Sequence, residues 1–393
     1  MISQKEYRNR IVTCQKRLRK ENHDLLILSQ EEDIYYFTGQ TYEPLERLFL
    51  LIISPDQSVF ILPKMEYPHL KDNACVDETL YYWDYPAKKG EQWKDVLLTV
   101  IEERRNIGIS SKSPFEITAF LAENGIKVSQ SSIVEEQRWI KSEAEISMIK
   151  NAAQYCQRAI HLINKSLYFG ITELEIFSVN RLIQKQLIQQ GNYEYKNSNI
   201  LIGAWPSRIS HQPHGIPEIF DVFSEGPHIS LAFLRVNGYA AELERTFFTQ
   251  KPSQQEKALF QLMTEARKRV FELLKPGIKA GEADLAAKEF LTKQGMKEYV
   301  FHRTGHGIGI GNHEGPYLGE GDDTILKENM VVSVEPGIYM EGIGGFRHSD
   351  TVRITKGGFE ILSASPENIE DLIFDDSNYY AKWKGKLIKK IYQ

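Results

Sequence analysis

The segment HRTGHGIGIGNHEGP, residues 302 to 316, constrains this chain more than any other stretch. Gly305, Gly307, Gly309 and Gly311 alternate with His306, Ile308 and Ile310. Successive side chains of an extended segment point to opposite faces, so glycine at every second place strips one face bare and lets backbone or substrate approach closely. The pattern predicts a narrow, rigid floor from which His306 and His313 project. It is not a nucleotide cradle: the spacing is not GxGxxG, no strand–turn–helix frame surrounds it, and histidines are foreign to a phosphate site.

Seven of the ten histidines (His211, His214, His228, His302, His306, His313 and His348) fall between 211 and 348. Imidazole moves a proton near neutral pH and also ligates metals, so the clustering marks this third of the chain for chemistry. His211 and His228 read as loop residues. Two further stretches carry carboxylates among apolar neighbours. VVSVEPGIY, 331 to 339, ends an apolar strand on Glu335 just before Pro336. YAAELERTFF, 239 to 248, alternates so that Glu242 and Glu244 share one face of a strand. A buried carboxylate is costly unless it meets a cation or hydrogen-bond donors. Taken singly, such glutamates are more often surface or ion-paired residues; beside histidines they are the material of metal ligation or acid–base catalysis. In GGFRHSD, Arg347 offers a planar fork for a substrate carboxylate, or for an ion pair with Asp350 or a nearby glutamate.

Composition bounds the function classes. With 48 Lys and Arg against 53 Asp and Glu, the net charge of −5 argues against a chain built to wrap nucleic acid. Abundant aromatics (19 Tyr, 19 Phe, 5 Trp) exclude wholesale disorder. The longest apolar run, residues 48–53, falls far short of the ~20 residues that cross a bilayer. The start, MISQKEYRNR, has no apolar signal core, and Cys14, Cys75 and Cys156 form neither a disulfide framework nor a metal knuckle. The expectation is a cytoplasmic protein with neither nucleic-acid nor membrane partners.

A chain of 393 residues suggests two or three domains. Residues 1–138 read as a small α/β unit: an amphipathic helix over 4–22, then strands at 25–28, 48–53 and 59–62, the last two joined by the turn SPDQS. From Ser142, with Glu145 three residues on, a capping box opens a long helix. Helices are predicted at 172–190, 253–275 and 282–294. Strands are predicted at 198–203, 228–236, 239–248, 330–340 and 346–355. Segregation of helices and strands in residues 139–393 favours α+β with an antiparallel sheet.

Several ordered motifs resemble the Xaa-Pro aminopeptidase, prolidase and creatinase superfamily: YYFTGQTYEPLERLFLLI, RWIKSEAEISMIKNAA, PHGIP around His214, the GHGIG and HEGP blocks, SVEPGIY and GGFRHSDTVRIT. The resemblance implies a creatinase/prolidase-like N-terminal domain over 1–138, a pita-bread catalytic domain over 139–393, and a homodimer. Peptidases of that group hold two divalent metals through two Asp, one His and two Glu. Here His306 and Glu335 match the ligand His and the first Glu; the first Asp falls on Leu231 or Ala232, the second on Glu242, and the final Glu on Ser349. LERT resembles creatinase, the metal-free branch, although creatinase has a histidine where Ser349 lies.

The resemblance therefore implies a hydrolase cleaving a C–N bond in a small amino-acid-like or dipeptide-like substrate, without a dinuclear centre and with no cofactor. By position, His214 is the acid/base, Glu244 and Glu335 hold the substrate, His306 completes the site, His313 donates to an oxyanion or carboxylate, and Arg347 binds substrate. The alternative is a mononuclear Xaa-Pro dipeptidase in which Glu242, His306 and Glu335 hold one Mn, Co or Zn ion. A second alternative is a non-catalytic binding protein on the same fold.

Overall fold

The computed structural model describes residues 2–72, 74–191, 193–375 and 378–392, and divides into two units, Met1–Arg138 and Trp139–Gln393. In the first, the helix Gln4–Glu21 starts where Ser3 Oγ accepts the Glu6 N–H, and it buries Tyr7, Ile11, Cys14 and Leu18, one stripe at spacings of four and three. A six-stranded mixed sheet follows in the order Glu78–Tyr82, Ser58–Pro63, Leu50–Ile53, Leu25–Leu28, Asn106–Ile109, Lys127–Gln130. The three central strands are buried along their whole length, as continuous apolar runs require.

In the second unit the helix Glu143–Ser166 opens with the capping box: Ser142 Oγ accepts the Glu145 N–H at 3.2 Å, and the Glu145 carboxylate accepts the Ser142 N–H at 3.0 Å. Its buried face packs on the hairpin His228–Val236/Tyr239–Phe247. That hairpin belongs to an eight-stranded antiparallel sheet. Its main path runs Glu314–Leu318, Gly305–Gly307, Val331–Val334, Ser349–Thr355, Tyr239–Phe247, His228–Val236, Asn199–Trp205; Gly358–Ile361 pairs with Ser349–Thr355 off that path.

Three predicted elements are broken, each for a local reason. The 172–190 helix divides into Glu173–Phe177 and Val179–Gln189, where the Ser178 hydroxyl donates to the Glu175 carbonyl. The 330–340 strand stops at Glu335 because Pro336 has no N–H for the ladder; Gly337–Met340 starts a second, two-stranded sheet. The 346–355 strand changes sheets at His348: Arg347 pairs with Gly337 in the small sheet and Ser349 with Glu244 in the large one. His228 is a correction of another kind. It is not a loop residue but the fully buried start of a strand, between Phe223 and Phe247.

Candidate active site

Antiparallel register builds the floor of the site. Leu231 lies opposite Glu244 and Phe233 opposite Glu242, and all four line one cavity of about 730 Å³. Of the two alternatives for the first ligand position, Leu231 therefore faces the cavity; Ala232, opposite Leu243, is buried on the reverse face.

The glycine-rich segment supplies the next layer. A Cβ on Gly305 would overlap the Ser333 carbonyl, and one on Gly307 the Gly315 carbonyl, so these two places admit only glycine. His306 is 1% exposed between them. Its Nδ1 lies 3.1 Å from the Gly307 carbonyl, which leaves Nε2 toward two acids, 3.3 Å from Glu335 Oε1 and 3.6 Å from Glu242 Oε2. The Ser349 hydroxyl donates to Glu242 Oε1 at 2.5 Å. Burial opposes the charge on His306, but the two carboxylates outweigh it and raise its pKa. Burial likewise opposes ionisation of Glu335, yet the hydrogen bond and charge of His306 carry that acid below its ordinary value. Glu242 goes the other way: burial lifts it, despite the pull of His306, with Glu335 and Glu244 adding repulsion. The pair of acids is thus split by environment, one ionised and one favouring its proton. His313 stacks on His306 with ring centroids 3.8 Å apart; burial and the His306 charge push it down to about 4.

Of the two readings of Arg347, a substrate fork or an ion pair with a nearby glutamate, the structure forms the second, and its partner is Glu244, which was expected to hold substrate. The guanidinium closes on the Glu244 carboxylate through Nε and through Nη2 at 2.8 Å. Its Nη1 donates to Tyr339 Oη at 2.8 Å and to the Pro213 carbonyl at 3.3 Å. The assignment of Arg347 as a substrate clamp is corrected accordingly, because its fork is occupied by a buried partner. The same guanidinium ties down the turn that carries His214. Pro213 is held by Arg347 on one side of that histidine, and the Trp205 indole donates to the Gly215 carbonyl on the other. His214 itself is exposed at the cavity wall.

Much of the remaining wall is apolar: Phe177, Leu201, Ile202, Trp205, Ile216 and Ile219. Sequence reasoning missed two floor residues. His302 Nε2 lies 2.6 Å from Tyr339 Oη, and both sit beside the Arg347–Glu244 pair; the signal was available, since His302 opens the glycine-rich block. It also missed Glu173, a buried acid in the wall that burial raises to about 8 and that accepts the Ala204 N–H at 3.2 Å.

A two-metal centre does not fit this donor set. Of the ligand positions that the resemblance implies, one falls on the cavity-facing Leu231 and another on Ser349, whose hydroxyl already donates to Glu242; the neighbouring Glu244 carboxylate is closed by a guanidinium. Donors for a single ion do converge among the described residues: ligand atoms of Glu242, His306 and His313 lie within 4.8 Å of one another. Glu335, expected as the third ligand, is not in that converging set.

Comparison with known proteins agrees with this architecture. Residues 147–356 match the model of metallopeptidase family M24, and residues 10–140 match the creatinase/prolidase N-terminal domain. YkvY of Bacillus subtilis is 30% identical over 92% of this chain and 99% of its own length. The prolidase of Pyrococcus horikoshii superposes with a TM-score of 0.76 at 26% identity, covering 91% of this chain and 99% of that one. The Xaa-Pro dipeptidase of Bacillus anthracis does so with a TM-score of 0.78 at 25% identity, covering 92% and 99%. Among the described residues no helix is long and apolar enough to cross a membrane. With its antiparallel catalytic sheet and glycine-lined histidine floor, the chain belongs to metallopeptidase family M24 and is a hydrolase of the Xaa-Pro peptidase/creatinase superfamily with the pita-bread fold.

Proposed function

We propose that this hydrolase cleaves a C–N bond in a small amino-acid-like or dipeptide-like substrate without a dinuclear metal centre. The observation that carries the reading is the floor itself: Leu231 faces the cavity and Ser349 donates to Glu242, so two positions that the resemblance assigns to metal carboxylates carry none. His214 is the acid/base: it stands at the cavity wall on a turn held from both sides, where a proton can pass to a leaving nitrogen. The ionised Glu335 attracts a cationic or N–H-bearing group of the substrate and keeps His306 charged. His313, held low by burial and by the His306 charge, presents a neutral ring to a carbonyl or carboxylate. The apolar wall receives a hydrophobic side group, and a water molecule adds its oxygen to the carbon as His214 passes the proton to the leaving nitrogen.

The second reading, a mononuclear peptidase, is favoured by the convergence of Glu242, His306 and His313. Those three would hold the ion, which when bound supplies Lewis acidity toward a carbonyl. The family resemblance supports a homodimer as the working assembly.

The test combines elemental analysis of the purified protein with a panel of Xaa-Pro and other dipeptides, guanidino compounds and cyclic amidines. Full turnover of a panel member after exhaustive chelation is the expected result. Turnover that disappears on chelation and returns with one Mn, Co or Zn ion per chain replaces the leading reading with the second. No turnover of any member, with one of them still bound, identifies a binding protein on the same fold.

A further inference from the structure

We propose that the buried ion pair Lys141–Glu314 is a positioning device for His313, retained for the geometry of the site rather than for stability; this rests on the reading that His313 faces substrate. Lys141 is 2% exposed and Glu314 8%, and Nζ lies 2.8 Å from Glu314 Oε1. The other carboxylate oxygen, Oε2, accepts the Gly311 N–H at 3.2 Å. The pair therefore sits under the turn that joins Gly305–Gly307 to Glu314–Leu318, the turn that carries His313 onto the His306 ring. Contact is close along its length. A Cβ on Gly309 would meet both the Glu314 carboxylate and the Lys141 chain, and the Gly309 carbonyl accepts the Ala240 N–H at 2.8 Å.

A buried ion pair is poor evidence of stabilisation, because desolvating both charges offsets their attraction, and apolar replacements of like volume are often neutral. What the pair supplies is direction. Glu314 is the next residue after His313, and its carboxylate is fixed at one oxygen by an ammonium and at the other by the turn's own backbone. An error of an ångström in such a support is enough to spoil a reacting geometry.

The experiment uses the full chain and compares Lys141→Met, the double variant Lys141→Met/Glu314→Gln, and His313→Gln. The readouts are the thermal midpoint, kcat and KM on the best panel substrate, and the ring-carbon proton shifts of His313 by NMR, which report stacking on His306. The expected result is a double variant that melts within about 3 °C of the parent, while His313 loses its stacking shift and kcat falls at least about tenfold with KM changed far less. Lys141→Met alone melts lower than the double variant, because it strands the carboxylate. A double variant whose His313 shifts match the parent overturns the proposal, as does one whose kcat loss follows only the fraction unfolded. If His313→Gln leaves turnover intact while the double variant unstacks the ring, the functional reading of His313 fails and the structural assignment stands.

Discussion

Two buried β-regions of this molecule solve burial in opposite ways. The central strands of the first unit, Leu25–Leu28, Leu50–Ile53 and Ser58–Pro63, are buried throughout and carry no ionisable side chain. The strand Tyr239–Phe247 of the second unit is buried at all nine positions and still holds Glu242, Glu244 and Arg245. Each of these has partners from elsewhere in the chain: His306 and Ser349 for Glu242, Arg347 for Glu244, and Asp350, itself paired with Arg267, for Arg245. The first arrangement is explained by apolar burial alone. The second is not, since buried pairs add little net stability, and a chain that keeps so many of them in one strand is organised around chemistry.

The largest effect should separate chemistry from stability altogether. His214→Ala, at an exposed position, is expected to lower kcat by roughly 10²–10⁴-fold with an unchanged melting curve; activity within a few-fold of the parent in a steady-state assay removes the acid/base role. Next comes the charged strand. Arg347→Met leaves Glu244 buried without its cation and should cost about 3–5 kcal/mol in urea unfolding, whereas Arg347→Met/Glu244→Leu recovers most of that loss without recovering turnover. Equal stability of the single and double variants would show that the pair is not a buried unit. The apolar strands behave differently: Leu51→Ala should cost about 2–5 kcal/mol by the same measurement while turnover per folded molecule is unchanged.

The most gradual effect concerns pH. His228 is fully buried; its Nδ1 accepts the Ser207 N–H at 2.9 Å, and burial pushes its pKa from 6.5 down to about 3. The unfolded chain binds the proton first, so stability falls as pH drops from 6.5 toward 3, by about 1.4 kcal/mol per pH unit for this one group. Melting curves across that window should be flatter in His228→Gln than in the parent; parallel curves would assign the acid sensitivity elsewhere.

Much of the fold was legible in the sequence because the signals are local. The stripe Tyr7, Ile11, Cys14, Leu18 marked its helix, the Ser142–Glu145 box marked another, and the turn between Ile53 and Ser58 followed from Pro-Asp chemistry. The breaks were less legible. Pro336 was visible as a strand terminator, but the change of sheet at His348 depends on which neighbours pair with Arg347 and Ser349. In the site, the glycine alternation announced His306 and His313, and His302 opens the same block, while Tyr339 was hidden by its ordinary surroundings in sequence.

By itself the sequence determined which side chains were available: the histidine-bearing glycine segment, two alternating glutamates, and Leu231, Ala232 and Ser349, none of them a carboxylate, at the positions where the resemblance implies two metal ligands. Periodicity and local hydrogen-bonding chemistry act within a few residues, so they survive in the linear pattern. Only the tertiary structure decided that Arg347 closes on Glu244, that Leu231 rather than Ala232 faces the cavity, and that Lys141 lies beneath Glu314. The two ion pairs join residues about a hundred or more positions apart and are fixed by where burial forces a charge to find its counter-charge, while the choice of Leu231 follows from strand register.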